Sequence, residues 1–134
     1  MATIFSKIVA GEIPCHKIAE NENFFAFLDI NPLAEGHTLV IPKQEVDYIF
    51  DLDNNTLSEM ILFAKEVALM IEQAIPCKRI GLTVIGLEVP HAHIHLIPIK
   101  KESDMHFGQE KTPVTPEQLA LTAQKIINKS CACK

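Results

Sequence analysis

Several features that would place a chain in a membrane, on nucleic acid or in an oxidising compartment are missing here. No stretch reaches the roughly 18 consecutive apolar residues that a bilayer span needs. The opening MATIFSKIVAGEIP meets Ser6 and Lys7 too early for a signal peptide. Lysine and arginine form no cluster, and a net charge of −5 is spread along 134 residues. Without a basic stripe to neutralise a phosphate backbone, polymeric nucleic acid is not an expected partner, and neither is a membrane. The four cysteines, Cys15, Cys77, Cys131 and Cys133, form no CxxC pair and no disulfide-framework spacing. They are expected to be reduced thiols, with the terminal CACK a tail that frays. There is no internal repeat, linker or low-complexity block. The expectation is a soluble, cytoplasmic, single-domain chain over residues 1–134 that buries roughly two thirds of its unfolded surface.

What is present divides by period. HKIAEN (His16 to Asn21), FFAFLDI (Phe24 to Ile30) and HTLVIPK (His37 to Lys43) are apolar runs bounded by turn residues. They predict strands, and their connections are too short for crossover helices, so they should pair antiparallel. From Thr56 the period becomes helical, with Leu57, Met60, Ile61, Ala64, Val67, Ala68 and Ile71 on one stripe and a capping box from Thr56 and Glu59. Its methionines read as core fillers. Two more strands follow, RIGLTVIG (Arg79 to Gly86) and the segment running to Lys100. A last helix over about 116–129 begins with Thr115 as cap, Pro116 at the first position and Gln118 completing a capping box. Residues 1–100 form the core and 101–134 an extension. The order predicts an α+β domain built on an antiparallel sheet.

The chemistry concentrates in VPHAHIHLIP, Val89 to Pro98. On a strand His91, His93 and His95 share one face, while Ala92, Ile94 and Leu96 share the other. Pro90 and Pro98 bracket the run and favour a short strand whose ends do not extend the ladder. One metal ion held by all three histidines is disfavoured, because the outer two lie about 13 Å apart at ~3.3 Å per residue. A metal site needs two of them plus a remote ligand such as His37, Glu45 or Glu88. A neutral imidazole is also an effective nucleophile toward phosphorus when a neighbour fixes its tautomer, with flanking imidazoles stabilising charge on the phosphate. Three histidines in strict alternation suit that task better than chance scatter does.

HAHIHLI satisfies the His-φ-His-φ-His-φφ signature, with φ apolar, of the histidine triad family of nucleotide hydrolases and transferases. IFSKIVAGEIP resembles that family's N-terminal opening and FFAFLDINPLAEGHTLVIPK its nucleotide-pocket segment, so about the first hundred residues are covered. The resemblance implies a five-stranded antiparallel sheet with one long central helix and a C-terminal helix, in a homodimer whose two sheets form one continuous ten-stranded sheet. It implies a purine nucleotide substrate and no cofactor. Matched by position, His93 is the nucleophile that forms a covalent nucleotidyl-histidine intermediate. His95 lies against the phosphate, and His91 with His37 supports the nucleophile's orientation. Asp29 accepts the ribose hydroxyls, and Phe5, Ile8, Phe27 and Ile30 wall the base. On the residues alone, those four apolar side chains could equally be core, and Asp29 could bond its own turn.

Two departures from the family matter. Zinc-containing members carry cysteines in the opening and a histidine after IPK; here Thr3, Ser6 and Glu45 stand at those positions, so no metal is expected there. Many members also have Gly-Gln-Ser/Thr before the first histidine, donating to the phosphate and leaving group, whereas this chain runs VIGLEVPH with Leu87 and Glu88 in their place. Glu88 could repel an anionic nucleotide, could donate as a protonated acid to a leaving group, or could pair with a histidine or lysine; the shortened loop favours pairing, aimed away from the cleft. The expected function is cleavage of purine nucleoside phosphoramidates or related phosphoanhydrides. The alternatives are a nucleotide-binding or partner-binding protein with little catalysis, and a metal-dependent hydrolase.

Overall fold

A computed structural model describes residues 3–111 and 113–132. The expectation for the terminal CACK turns on Cys133 and Lys134, which lie outside the described residues. The elements in chain order are α1 (Ile4–Val9), β1 (Lys17–Glu20), β2 (Phe24–Leu28), β3 (Thr38–Pro42), α2 (Asn54–Ala74), β4 (Arg79–Thr83), β5 (Ile94–Ile99) and α3 (Pro116–Ala132), with single 3-10 turns at Ile49–Asp51 and Glu102–Met105. The five strands form one antiparallel sheet in the order β1-β2-β3-β5-β4.

The sheet is covered on both faces at its centre, so β2 and β3 are buried at every residue. Alternation then separates two apolar clusters. Phe24, Ala26, Leu28, Val40, Ile94 and Leu96 face α2 and α3. Phe25, Phe27, Leu39 and Ile41 face Phe5 and Ile8 of α1. The first cluster is the main core and the second is the floor of a cleft.

Helix α2 starts earlier than its periodicity predicts. Asp53, not Thr56, is the N-cap, and its carboxylate accepts the Thr56 backbone N–H at 2.8 Å. An aspartate reaching the free amides of the first turn outcompetes the expected threonine cap. Met60, Ala64, Val67 and Ile71 are buried as expected, but the stripe turns toward Phe63, and Ile61 faces outward. At α3 the capping box forms as read: Gln118 N–H donates to Thr115 Oγ1 at 3.1 Å and Thr115 N–H to Gln118 Oε1 at 2.9 Å. The helix runs three residues past its expected end.

The strand ends are trimmed. Asp29 and Ile30 fall beyond β2, residues 84–86 beyond β4, and His91 and His93 before β5. Pro98 lies inside β5, opposite Ile80 and past the last residue that β5 pairs with β3. Its missing N–H is therefore not needed on that side. Cys15 and Cys77 are free thiols, and burial pushes both above the usual thiol range, away from reactive thiolate. Among the described residues no helix is long and apolar enough to cross a membrane.

The turn from the β2–β3 loop into His37 depends on Gly36, whose φ is +93°. A Cβ there would sit 3.0 Å from Ile75 Cγ1 and 3.2 Å from Pro98 Cγ. Gly36→Ala is expected to destabilise the fold by about 1–3 kcal/mol, from left-handed backbone and crowding together. Urea unfolding should show a lower midpoint at unchanged slope; an unchanged midpoint would contradict this account.

Candidate active site

The histidine segment is held from both sides. Ala92 N–H donates to Val46 O at 2.7 Å, tying it to the chain just after β3. Ala92, Ile94 and Leu96 sink into the main core, which turns His91, His93 and His95 onto the α1 face. All three are nonetheless buried.

Hydrogen bonds then fix which ring nitrogen carries each proton, because a carbonyl can only accept and a backbone N–H can only donate. His93 Nδ1 lies 2.8 Å from His91 O, so in the neutral ring Nδ1 holds the proton and Nε2 keeps a free lone pair. His91 Nε2 lies 2.8 Å from Pro42 O and is the protonated nitrogen; its Nδ1 accepts the Thr3 hydroxyl at 2.8 Å. His37 Nδ1 accepts Leu33 N–H at 3.0 Å, so His37 Nε2–H donates to His95 Nδ1 at 3.0 Å. His95 is left with its proton on Nε2. The middle histidine thus offers a lone pair and the last one offers an N–H, side by side with ring centroids 4.9 Å apart.

Phe5 stands edge to face on His93, with ring centroids 5.1 Å apart, and rests on Phe27 at 5.5 Å. Asp29 is positioned by its backbone N–H donating to His37 O at 3.0 Å. One carboxylate oxygen accepts Asn31 N–H at 2.8 Å, which is the turn contact the sequence allowed, and the other lies 3.6 Å from His37 Nε2. Both buried imidazoles of the His37–His95 pair are pushed down to about 4, in each case chiefly by burial, with Asp29 opposing. They are neutral at physiological pH, as the tautomer chain requires.

These side chains border a cavity of about 440 Å³. Of the residues expected from sequence, Phe5, Ile8, Phe27, Asp29, Ile30, Glu88, His93 and His95 line it. His91 and His37 are not among its lining residues and are hydrogen-bonded to His93 and His95, which are. Ile30 is 66% exposed at the rim rather than forming a closed wall. Glu88 borders the cavity instead of turning away, and it forms no ion pair among the described residues, which corrects the expectation of a pairing role. A larger cavity of about 620 Å³ lies behind Asp29 and His37, under α3, but no triad histidine reaches it.

Two places bear on the metal readings. Thr3 and Ser6 both donate to Glu45, and Thr3 also to His91, so a hydrogen-bonded cluster occupies the positions where zinc-containing members carry ligands. Asp29, His37 and His95 bring three potential ligand atoms within 4.8 Å of one another. Two of the nitrogen lone pairs there are already engaged, by Leu33 N–H and by His37 Nε2–H, so a metal would have to displace both bonds.

Among the cavity-wall residues that sequence reasoning did not single out are Phe107 and Lys111. Phe107 lies edge to face on His95 at 4.8 Å and on His37 at 6.1 Å. The available signal was one aromatic residue in the polar stretch ESDMHFGQEK of the extension.

The HIT domain family model matches residues 10–102. The adenosine 5'-monophosphoramidase of Schizosaccharomyces pombe is 34% identical over 132 residues, spanning 96% of this chain and 98% of that protein. The adenosine 5'-monophosphoramidase of Saccharomyces cerevisiae is 38% identical over 103 residues, 75% of this chain and 65% of that one. Among solved structures, a Hit-like protein involved in cell-cycle regulation from Bartonella henselae superimposes with a TM-score of 0.81 at 33% identity, covering 95% of each chain.

The depressed histidines couple stability to pH. Their folded values near 4 lie below the ordinary histidine value of about 6.5, so between those limits the unfolded chain binds more protons than the folded one. Stability is therefore full above about pH 6.5 and is lost as pH falls toward 4. Urea midpoints measured across this range should decline with acidification, and His37→Gln should shallow the decline. An identical slope in the variant would show that other groups carry it.

Proposed function

The chain belongs to the HIT domain family, and from that premise we propose that it cleaves purine nucleoside phosphoramidates or related phosphoanhydrides to nucleoside monophosphates. The observation that carries this reading is the tautomer of His93. With Nδ1–H given to the His91 carbonyl, the Nε2 lone pair is available beside the cavity.

In the proposed reaction His93 Nε2 attacks the α-phosphorus and forms a P–N bond to the imidazole. The bond from phosphorus to the leaving nitrogen breaks, its electron pair stays with that nitrogen, and the amine departs with a proton delivered from solvent at the open mouth. The His95 Nε2–H donates to a non-bridging oxygen where negative charge develops. Water then attacks the phosphorus, gives up a proton, and returns the imidazole lone pair to His93 as the monophosphate leaves. The purine would lie among Phe5, Ile8, Phe27 and Ile30, and the Asp29 oxygen nearest His37 would accept from the ribose hydroxyls. No step draws on a metal or cofactor.

His93→Ala is expected to lose turnover of adenosine 5'-phosphoramidate by about a thousandfold or more while adenosine monophosphate still binds, since removing a nucleophile costs most of the chemical step and little of the binding. EDTA should leave the wild-type rate unchanged. Full activity in the variant would defeat the covalent route. A second reading is favoured by Glu88 standing on the cavity wall where donors are expected: a nucleotide-binding protein with little catalysis. Tight binding of monophosphate with no cleavage across a panel of phosphoramidates and dinucleoside polyphosphates would select it.

We further propose a homodimer. Among the described residues strand β4 pairs only with β5, leaving its other edge free, with Leu82 exposed. Ile61, Leu62 and Leu69 of α2 are also exposed apolar side chains. Sedimentation equilibrium should return twice the chain mass for the wild type and the single chain mass for Leu82→Lys, which charges the edge. A monomeric wild type would rule the dimer out.

A further inference from the structure

The cavity has a charge problem that the triad does not solve. An α-phosphate brings negative charge to a wall already carrying Asp29 and Glu88. Neutral His95 can donate one hydrogen bond there but adds no charge, because burial holds it down to about 4. Leu87 and Glu88 stand where hydroxyl and amide donors were expected, and Leu87 points largely into solvent. Among the lining residues a single lysine or arginine remains, Lys111 of the extension.

Lys111 is brought there by the packing of Phe107 on the histidine rings. After the 3-10 turn at Glu102–Met105 the chain passes back over the histidines, and Phe107 seats itself against the rings of His95 and His37. Four residues later Lys111 borders the same cavity as His93 and His95. Its positive charge is felt at both His37 and His95, where it disfavours a second cation. A flexible ammonium is a point charge that can follow phosphate oxygens as the phosphorus inverts.

We propose that Lys111 is the phosphate-binding cation of this site, doing from the C-terminal side the work of the donors that Leu87 and Glu88 replace. The proposal rests on the nucleotide reading above. It makes Phe107 the residue that positions the cation, and it extends the functional site past residue 102, where the segment matched by the HIT domain model ends.

The test is calorimetric titration of wild type, Lys111→Gln and Lys111→Arg with adenosine monophosphate and, separately, with adenosine, which has no phosphate. Lys111→Gln should weaken monophosphate binding about tenfold, the scale of one charge-assisted hydrogen bond, and leave adenosine binding unchanged. Lys111→Arg should restore most of the loss, and the salt dependence of monophosphate binding should shrink in the glutamine variant. Equal monophosphate affinity in wild type and Lys111→Gln would overturn the proposal while leaving the nucleotide reading intact. A parallel loss of adenosine binding would also overturn it, showing a structural role. Failure of the wild type to bind monophosphate at all would remove the nucleotide reading, and this inference with it.

Discussion

One backbone carbonyl sets the proton arrangement of the middle histidine. His91 O accepts the Nδ1–H of His93, and that bond alone decides that the lone pair of the middle histidine is on Nε2. A side-chain partner could rotate away, but a carbonyl can move only with its backbone. The carbonyl stays put because His91 is pinned at both ring nitrogens, by Thr3 on one side and Pro42 O on the other. Its neighbour Ala92 is sealed into the main core. Core burial and the orientation of the His93 ring are thus two faces of the same short segment.

Burial performs a second service. Placing His37 and His95 in the interior disfavours their charged forms more than nearby Asp29 favours them. The two rings therefore remain neutral and can form a directed relay from Leu33 N–H to His95, which two imidazolium rings could not. The site consequently has oriented N–H groups but little positive charge, which is the condition that makes the position of Lys111 matter.

How far the sequence discloses this depends on the kind of residue. The strict alternation of His91, His93 and His95 with Ala92, Ile94 and Leu96 foretells both faces of the segment, because strand geometry leaves no other arrangement. The fold follows from periodicity and short connections, and the resemblance to the histidine triad family placed Asp29 and His37 beside the triad. Local competition was harder to see. Asp53 displaces Thr56 as a cap because both are good caps and only tertiary context chooses between them. Glu88 was expected to turn from the cleft, yet it lines it, since the path of a shortened loop is not encoded in its residue types. Phe107 and Lys111 were invisible for a deeper reason: they reach the site only through the return of the extension over the sheet, a long-range contact with no periodic signature.

The hydroxyl of Thr3 meets His91 across 88 positions of chain, and Glu35 meets Thr122 and Lys125 across 87 and 90. These closures bracket the site, one in front of the triad and one behind the loop that bears Asp29 and His37. Contacts so distant in sequence are paid for in chain entropy before they return any stability. A ribosome that has released the sheet through β5 has therefore not yet released α3, so the closure between Glu35 and Thr122 and Lys125 is still open at that point. The histidines and Asp29 thus emerge with the sheet before the last helix arrives to close the loop behind them.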